Sequence, residues 1–184
     1  KMQFITIDGK GDPNNNTDFQ NATEILYGLS FTIKMSKKKD AQPEGYFEYV
    51  VPPLEGLWWI SEGGFSFEQR ENWLWTIMIR QPDFVNKDFF DWACVQLKQK
   101  KADLQLEKAK FQSFEEGLCV QIMHIGPYAT EPESVQKMDE FMNEKGLICT
   151  IGKNGKHHEI YLSDPRKTAP EKLKTVIRHP VAKV

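Results

Sequence analysis

The tetrapeptide Ile177-Arg178-His179-Pro180, near the end of the chain, echoes Ile79-Arg80-Gln81-Pro82 near its middle. A second echo precedes each: Glu48-Tyr49-Val50-Val51 before Pro52, and Glu159-Ile160-Tyr161-Leu162 before Asp164-Pro165. Each likeness is only a few residues long. Both occur in the same order, however, and both follow an amphipathic helix pattern, which marks an internal repeat.

Working outward, the first copy opens with alternation over Met2 to Ile7, a strand, running into the turn-rich Asp8-Gly9-Lys10-Gly11-Asp12-Pro13-Asn14. Asn16 or Thr17 then caps a helix whose apolar residues Phe19, Ala22, Leu26, Leu29 and Ile33 recur at helical spacing. Its end, Ser36-Lys37-Lys38-Lys39, reads as a solvated terminus favoured by the helix dipole, with an anion site as the alternative. Strands are expected at Phe47 to Val51, stopped by Pro52-Pro53, and at Trp73 to Arg80, stopped by Gln81-Pro82. Between them, Leu54-Glu55-Gly56-Leu57-Trp58-Trp59 and Gly63-Gly64 read as an irregular connection. A long helix is expected from about Asn86 to about Phe111, with Phe90, Ala93, Leu97 and Leu104 as its apolar stripe.

The second copy begins with a strand, Leu118 to Ile125, and turns at Gly126-Pro127. A helix from about Glu131 to Lys145 follows, with Val135, Met138 and Met142 on one face and Gly146 as its stop. Strands are expected at His158 to Leu162 and Leu173 to Arg178, separated by a helical turn that Thr168-x-x-Glu171 would cap. The expected fold class is therefore α+β: two pseudo-symmetric β-α-β-β modules with antiparallel sheets. Module one spans about 1–85, the linking helix about 86–111 and module two about 112–184, all in one domain. The seam between such modules is the expected place for a central ligand cleft.

Composition narrows the function. Hydrophobic residues make up 40% and charged residues 27% of the 184, an ordinary globular balance. The net charge of -2 lacks the basic excess of a nucleic-acid surface. No apolar run approaches the ~20 residues needed to cross a bilayer. Cys94, Cys119 and Cys149, odd in number and widely spaced, read as free thiols in a reducing, cytoplasmic setting. The sequence as given opens at Lys1, so upstream residues and a lost leader stay open. Aromatic residues reach 12%, with Trp58, Trp59, Trp73 and Trp75 bunched together. They fill a large core or line a cavity.

Among residues able to do chemistry, Glu159 stands out. Strand alternation places His157, Glu159 and Tyr161 on one face, with Ile160 and Leu162 on the other, which suits a helix-covered core. The Glu159 face is then either plain solvent-exposed surface or the wall of the seam. In an apolar seam the carboxyl would be raised in pKa and could attract a cation or serve as general base. Glu48, at the matching place in the first copy, is its partner or a surface residue. Adjacent His157 and His158 point to opposite faces, His124 and His179 lack ligand-spaced neighbours, and no cysteines pair. No metal and no cofactor is therefore expected. Gly9-x-Gly11 is a turn rather than a phosphate cradle, and neither Ser61 nor Ser66 sits in a nucleophile elbow. The helix from Asn86 carries a phenylalanine-rich face that belongs in a core, not in a DNA groove.

Three stretches resemble one family: Pro53-Leu54-Glu55-Gly56-Leu57-Trp58-Trp59, His124-Ile125-Gly126-Pro127-Tyr128, and His158 through Pro165 with Pro170-Glu171-Lys172-Leu173-Lys174-Thr175. Together with the tandem repeat they are similar to free-standing bacterial members of the GyrI-like small-molecule-binding proteins, built from paired SHS2 modules. The resemblance implies a cleft for flat or aromatic drugs and other xenobiotics around a central glutamate, which maps onto Glu159. It makes Trp58, Trp59, Tyr128 and Tyr161 the matching ligand-binding candidates of an aromatic cage. It further implies that some such members hydrolyse the strained cyclopropane of DNA alkylators such as yatakemycin. Glu159 would activate water there, and Tyr161 or Tyr128 would stabilise the phenolate. The alternatives are a non-catalytic sequestering or effector-sensing module and a protein that modulates gyrase. The expected partner is a small molecule, with no nucleic acid and no membrane, and the sequence is silent on oligomeric state.

Overall fold

The computed structural model describes residues 1–61, 64–153 and 155–183. The chain divides into two compact units. The first comprises Lys1–Gly9, Pro13–Pro53 and Thr76–Glu115, and the second Lys10–Asp12, Leu54–Trp75 and Glu116–Val184. All named strand pairings with a described register are antiparallel, and three α-helices accompany them, so the chain is α+β as expected.

In the first unit, β1 (Met2–Lys10) pairs with β4 (Lys110–Phe114), Ile5 opposite Phe111. Helix α1 (Thr17–Lys34) starts at Asn16, whose side chain accepts from the backbone N–H groups of Asp18 and Phe19. It buries Ala22, Ile25, Leu26, Leu29 and Ile33. Helix α2 (Lys87–Lys100) starts at Asn86 in the same way and buries Phe89, Phe90, Ala93 and Leu97. The two helices meet where α1 has no side chain, since a Cβ on Gly28 would lie 2.9 Å from Leu97 Cδ2.

Two expectations about this unit are corrected. The long helix ends at Lys100, not near Phe111; the chain then turns, with Lys98 Nζ donating to Leu104 O, and enters β4. Apolar residues at helical spacing continued past the turn, but β1 offered a strand edge for Phe111 to pair with. Phe47 to Val51 forms no strand. Its rings gather instead on Phe84, with Tyr46, Phe47 and Tyr49 at 5.3, 5.4 and 5.8 Å, and Val50 is 84% exposed. Glu48 is an exposed partner of Lys37, in keeping with a solvated lysine run.

The strand expected there lies a few residues later, in the tryptophan-rich stretch that read as irregular. In the second unit β2 (Leu54–Ile60) pairs with β7 (His157–Tyr161), β7 with β8 (Lys174–Lys183), and β8 with β5 (Cys119–Ile125). Gly63 lies outside the described residues. β3 (Trp73–Gln81) starts in this unit and ends in the first. A short unexpected strand, β6 (Leu147–Cys149), pairs with the end of β8, which runs past its expected stop at His179-Pro180. Pro180 has no N–H to give, but its carbonyl accepts from the Thr150 N–H, so the ladder survives it. The turn Pro170–Lys172 forms without a side-chain cap.

Helix α3 (Glu131–Glu144) sets Met138 and Met142 on Ile177 and Val181, with Val135 and Ile122 around them. Opposed residues of an antiparallel pair share a face, and Ile177 stands opposite Glu159. Helix α3 therefore covers the Glu159 face of the sheet, the reverse of the expectation from Ile160 and Leu162. Leu162 is 48% exposed.

Candidate functional site

The site is organised around β7 and β2, where Gly56 faces Glu159 and Trp58 faces His157 across the ladder. Gly56 is needed there because Trp58 folds back over it. A Cβ at Gly56 would come within 2.6 Å of Trp58 Nε1 and 3.0 Å of the Tyr161 hydroxyl. Through that gap Trp58 Nε1 donates to the Tyr161 hydroxyl at 3.1 Å. The Tyr161 hydroxyl in turn hydrogen-bonds the Glu159 carboxylate, and burial, the Glu159 charge and this bond hold the phenol well above its ordinary pKa.

Glu159, 6% exposed, takes a second bond from His157 Nε2 at 2.9 Å. The other ring nitrogen of His157 meets His179 Nε2 at 2.8 Å. Burial, then the neighbouring His157, push His179 down to about 3, so it is neutral at physiological pH. His179 Nδ1 is buried without a partner. The His157 imidazole lies flat on Phe65, centroids 4.1 Å apart at 3°, with Phe67 edge-on at 5.6 Å. Trp73 packs against Phe65 and Trp58 and donates from Nε1 to Ser66 O at 2.7 Å, tying down the segment that carries these rings.

From the other side comes Glu131, the first residue of α3. The Gly126-Pro127-Tyr128 turn delivers it. Gly126 has φ +139°, and His124 braces the turn with Nδ1 on Ser134 Oγ at 2.9 Å and Nε2 on Pro127 O at 3.1 Å. Glu131 is 2% exposed, and its Oε1 is buried with no partner. Burial, then the nearby Glu159 charge, push its carboxyl up to about 9 against the opposing pull of Arg70. Tyr128, set edge-on to Tyr161 at 6.0 Å, is pushed up to about 12 by burial and the Glu159 charge. Tyr128 and Tyr161 are partly exposed and form the outer edge of the cluster.

The fold thus gathers Glu159, Tyr161, Tyr128 and Trp58. It does not bring Trp59 to them. Trp59 projects from the opposite face of β2, where the Lys156 ammonium sits 3.4 Å from its ring centroid. Trp58, at 2% exposure, is packed in the core rather than offering a free face. Glu131, His157 and His179 were missed as members. The His157-x-Glu159 spacing was a visible signal, whereas an acidic residue opening a helix reads simply as a good dipole partner. Two surface hollows, of about 460 and 410 Å³, lie elsewhere, beside α2 and beside Tyr46–Glu48.

The sequence pointed to no metal, yet Glu131, His157 and Glu159 place one donor atom each within 4.8 Å of one another. His157 and Glu159 are engaged with each other by a direct hydrogen bond, and the carboxyl of Glu131 holds its proton at neutral pH.

A carboxylate, a histidine pair and phenols thus lie together among aromatic rings. The profile of the GyrI-like small molecule binding domain matches residues 1–182, and the chain belongs to that family. It is 48% identical to an uncharacterized conserved protein from Listeria innocua of known structure, over 98% of this chain and 88% of that one, with a TM-score of 0.93. It is 46% identical to a hydrolase from Listeria innocua, over 98% and 87%, with a TM-score of 0.89. The EcmrR C-terminal domain, at 11% identity over 100% and 92% with a TM-score of 0.57, shares the fold. No curated protein gives a significant match. Among the described residues no helix is long and apolar enough to cross a membrane.

Proposed function

We propose that this protein binds flat aromatic xenobiotics at the Tyr128–Tyr161 edge and hydrolyses the strained cyclopropane of DNA-alkylating members of that class. The observation that carries the reading is Glu159: a buried carboxylate held by His157 and Tyr161 beneath stacked aromatic rings. Likeness to a Listeria hydrolase over nearly the whole chain supports it.

The ligand's planar ring system packs on the tyrosines, and entry requires the Tyr128 edge or the Phe65 and Phe67 rings to part. Glu159 orients a water against the cyclopropane CH₂ and takes its proton as the C–O bond forms. The bond from that carbon breaks, and its electron pair runs into the conjugated ring to end on oxygen. His157, backed by His179, keeps the carboxylate oriented. Exclusion of bulk water strengthens each of these interactions. The three free cysteines fit a cytoplasmic setting for such a detoxifying protein.

The test is incubation with a cyclopropane-bearing alkylator, followed by mass spectrometry of the ring-opened product. Turnover by wild type and its loss in Glu159→Gln is the expected result. Binding without turnover, read by tryptophan fluorescence, would leave a sequestering module in its place.

A further inference from the structure

The attack just described leaves a second proton unaccounted for. Ring opening sends an electron pair to an oxygen of the ligand, and that oxygen must be neutralised inside a site that excludes water. The tyrosines are the obvious donors, but both are poorly suited. The Tyr161 hydroxyl bonds the Glu159 carboxylate and accepts from Trp58, and burial with the Glu159 charge pushes Tyr128 up to about 12.

Glu131 answers the need. Two buried carboxyls this close cannot both ionise unless a cation intervenes. Glu159 receives donors from His157 and Tyr161, whereas Glu131 Oε1 has none, so the proton falls to Glu131. A buried carboxyl oxygen with no partner is costly to maintain and is uncommon in native structures unless it has a task. We propose that Glu131 is the acid of this site: its carboxyl, within 4.8 Å of His157 and Glu159 and with Oε1 unpartnered, protonates the oxygen on which charge develops as the substrate opens. The assignment rests on the hydrolase reading above.

The step balances. Water gives its proton to Glu159 and its oxygen to the ring carbon; the carbon–carbon bond breaks; Glu131 gives its proton to the ligand oxygen, yielding a phenol. Glu159 is then protonated and Glu131 ionised, and transfer of one proton between these neighbours restores the starting state. Substrate and water are consumed and one alcohol is formed, with no other reactant.

Glu131→Gln and Glu131→Asp, assayed with a spirocyclopropyl cyclohexadienone alkylator, test the proposal. The groups facing Glu131 are Arg70 from the segment before β3, Tyr128 from the turn, and His157, Glu159 and Tyr161 on β7. Burial, then the Glu159 charge, push the Glu131 carboxyl up to about 9, while Tyr128 is pushed up to about 12 and Tyr161 well above its ordinary value. In wild type kcat falls above about pH 9 as Glu131 ionises. Glu131→Gln lowers kcat by about 10²–10⁴-fold, changes KM little and removes that alkaline limb; Glu131→Asp restores part of the rate. A Glu131→Gln enzyme with wild-type kcat and an unchanged alkaline limb overturns the assignment while the hydrolase reading stands. If wild type itself fails to open the ring, that reading falls and this one with it. An unchanged melting temperature and circular dichroism spectrum for Glu131→Gln separate lost chemistry from lost fold.

Discussion

The two faces of β7 carry almost the same chemistry in opposite states of completion. On one face His158 places Nδ1 on Glu116 at 3.0 Å and Nε2 on Glu55 at 2.9 Å, and Glu116 is also held by Arg178 at 3.0 Å. Burial would lower the His158 pKa, but the bonds and charges of Glu116 and Glu55 overcome it, and the imidazolium is favoured. On the other face His179, His157 and Glu159 form a hydrogen-bonded chain with Glu131 beside it, and two buried atoms there, His179 Nδ1 and Glu131 Oε1, are unpartnered. A satisfied buried network holds structure together; one with open valences has capacity left for a ligand. One strand thus separates a structural ion cluster from a candidate reaction centre by the alternation of its side chains.

The sharpest way to break this contrast is to exchange the effects. Glu159→Gln is expected to cost about 10²–10⁴-fold in turnover while urea unfolding changes little, because the amide keeps an acceptor for His157. His158→Ala is expected to do the reverse. It strands Glu55, leaves Glu116 to Arg178 alone, and destabilises by about 3–5 kcal/mol, with turnover per folded molecule retained. Loss of turnover in the second variant without loss of stability would erase the distinction.

The pH dependence sharpens it. His158 is raised, so its contribution is whole below its unfolded value of about 6.5 and is lost as pH climbs through the folded one. Glu116 is lowered despite burial, by His158 and Arg178; its contribution is present above about 4.3 and is lost as pH falls through its folded value. The urea midpoint should therefore be greatest between these limits and flatten in His158→Ala. Gly56→Ala comes next, destabilising by about 1–3 kcal/mol as the new methyl forces Trp58 off Tyr161, measurable by denaturation and by Trp58 fluorescence. The smallest effect is that of Tyr161→Phe, about 0.5–1.5 kcal/mol from the lost hydrogen bonds, read in the same way.

What could be read from the sequence follows from which forces are local. The helix starting at Asn16, the apolar face of α3 and the strands β3 and β5 were legible, because a cap or a periodicity lies within one segment. Phe47–Val51 and Leu54–Ile60 are both apolar enough to be strands, and only β7 decided between them by pairing with the second. The same holds for Phe111, which sits at a helical spacing but is opposite Ile5. Glu159 and Tyr161 could be placed on one face by alternation, yet which face α3 would cover was set by Ile177 across the ladder.

By itself, then, the sequence determined the α+β class, the identity of the family and the placing of Glu159 with Tyr161 on one side of a strand. Tertiary structure alone decided that Trp59 leaves the cluster, that His179 backs His157, and that Glu131 enters it from α3. The reason is physical. A side chain's direction along a strand is a local property, but its burial and its unpartnered atoms depend on residues distant in the chain, and those set the charge each group carries.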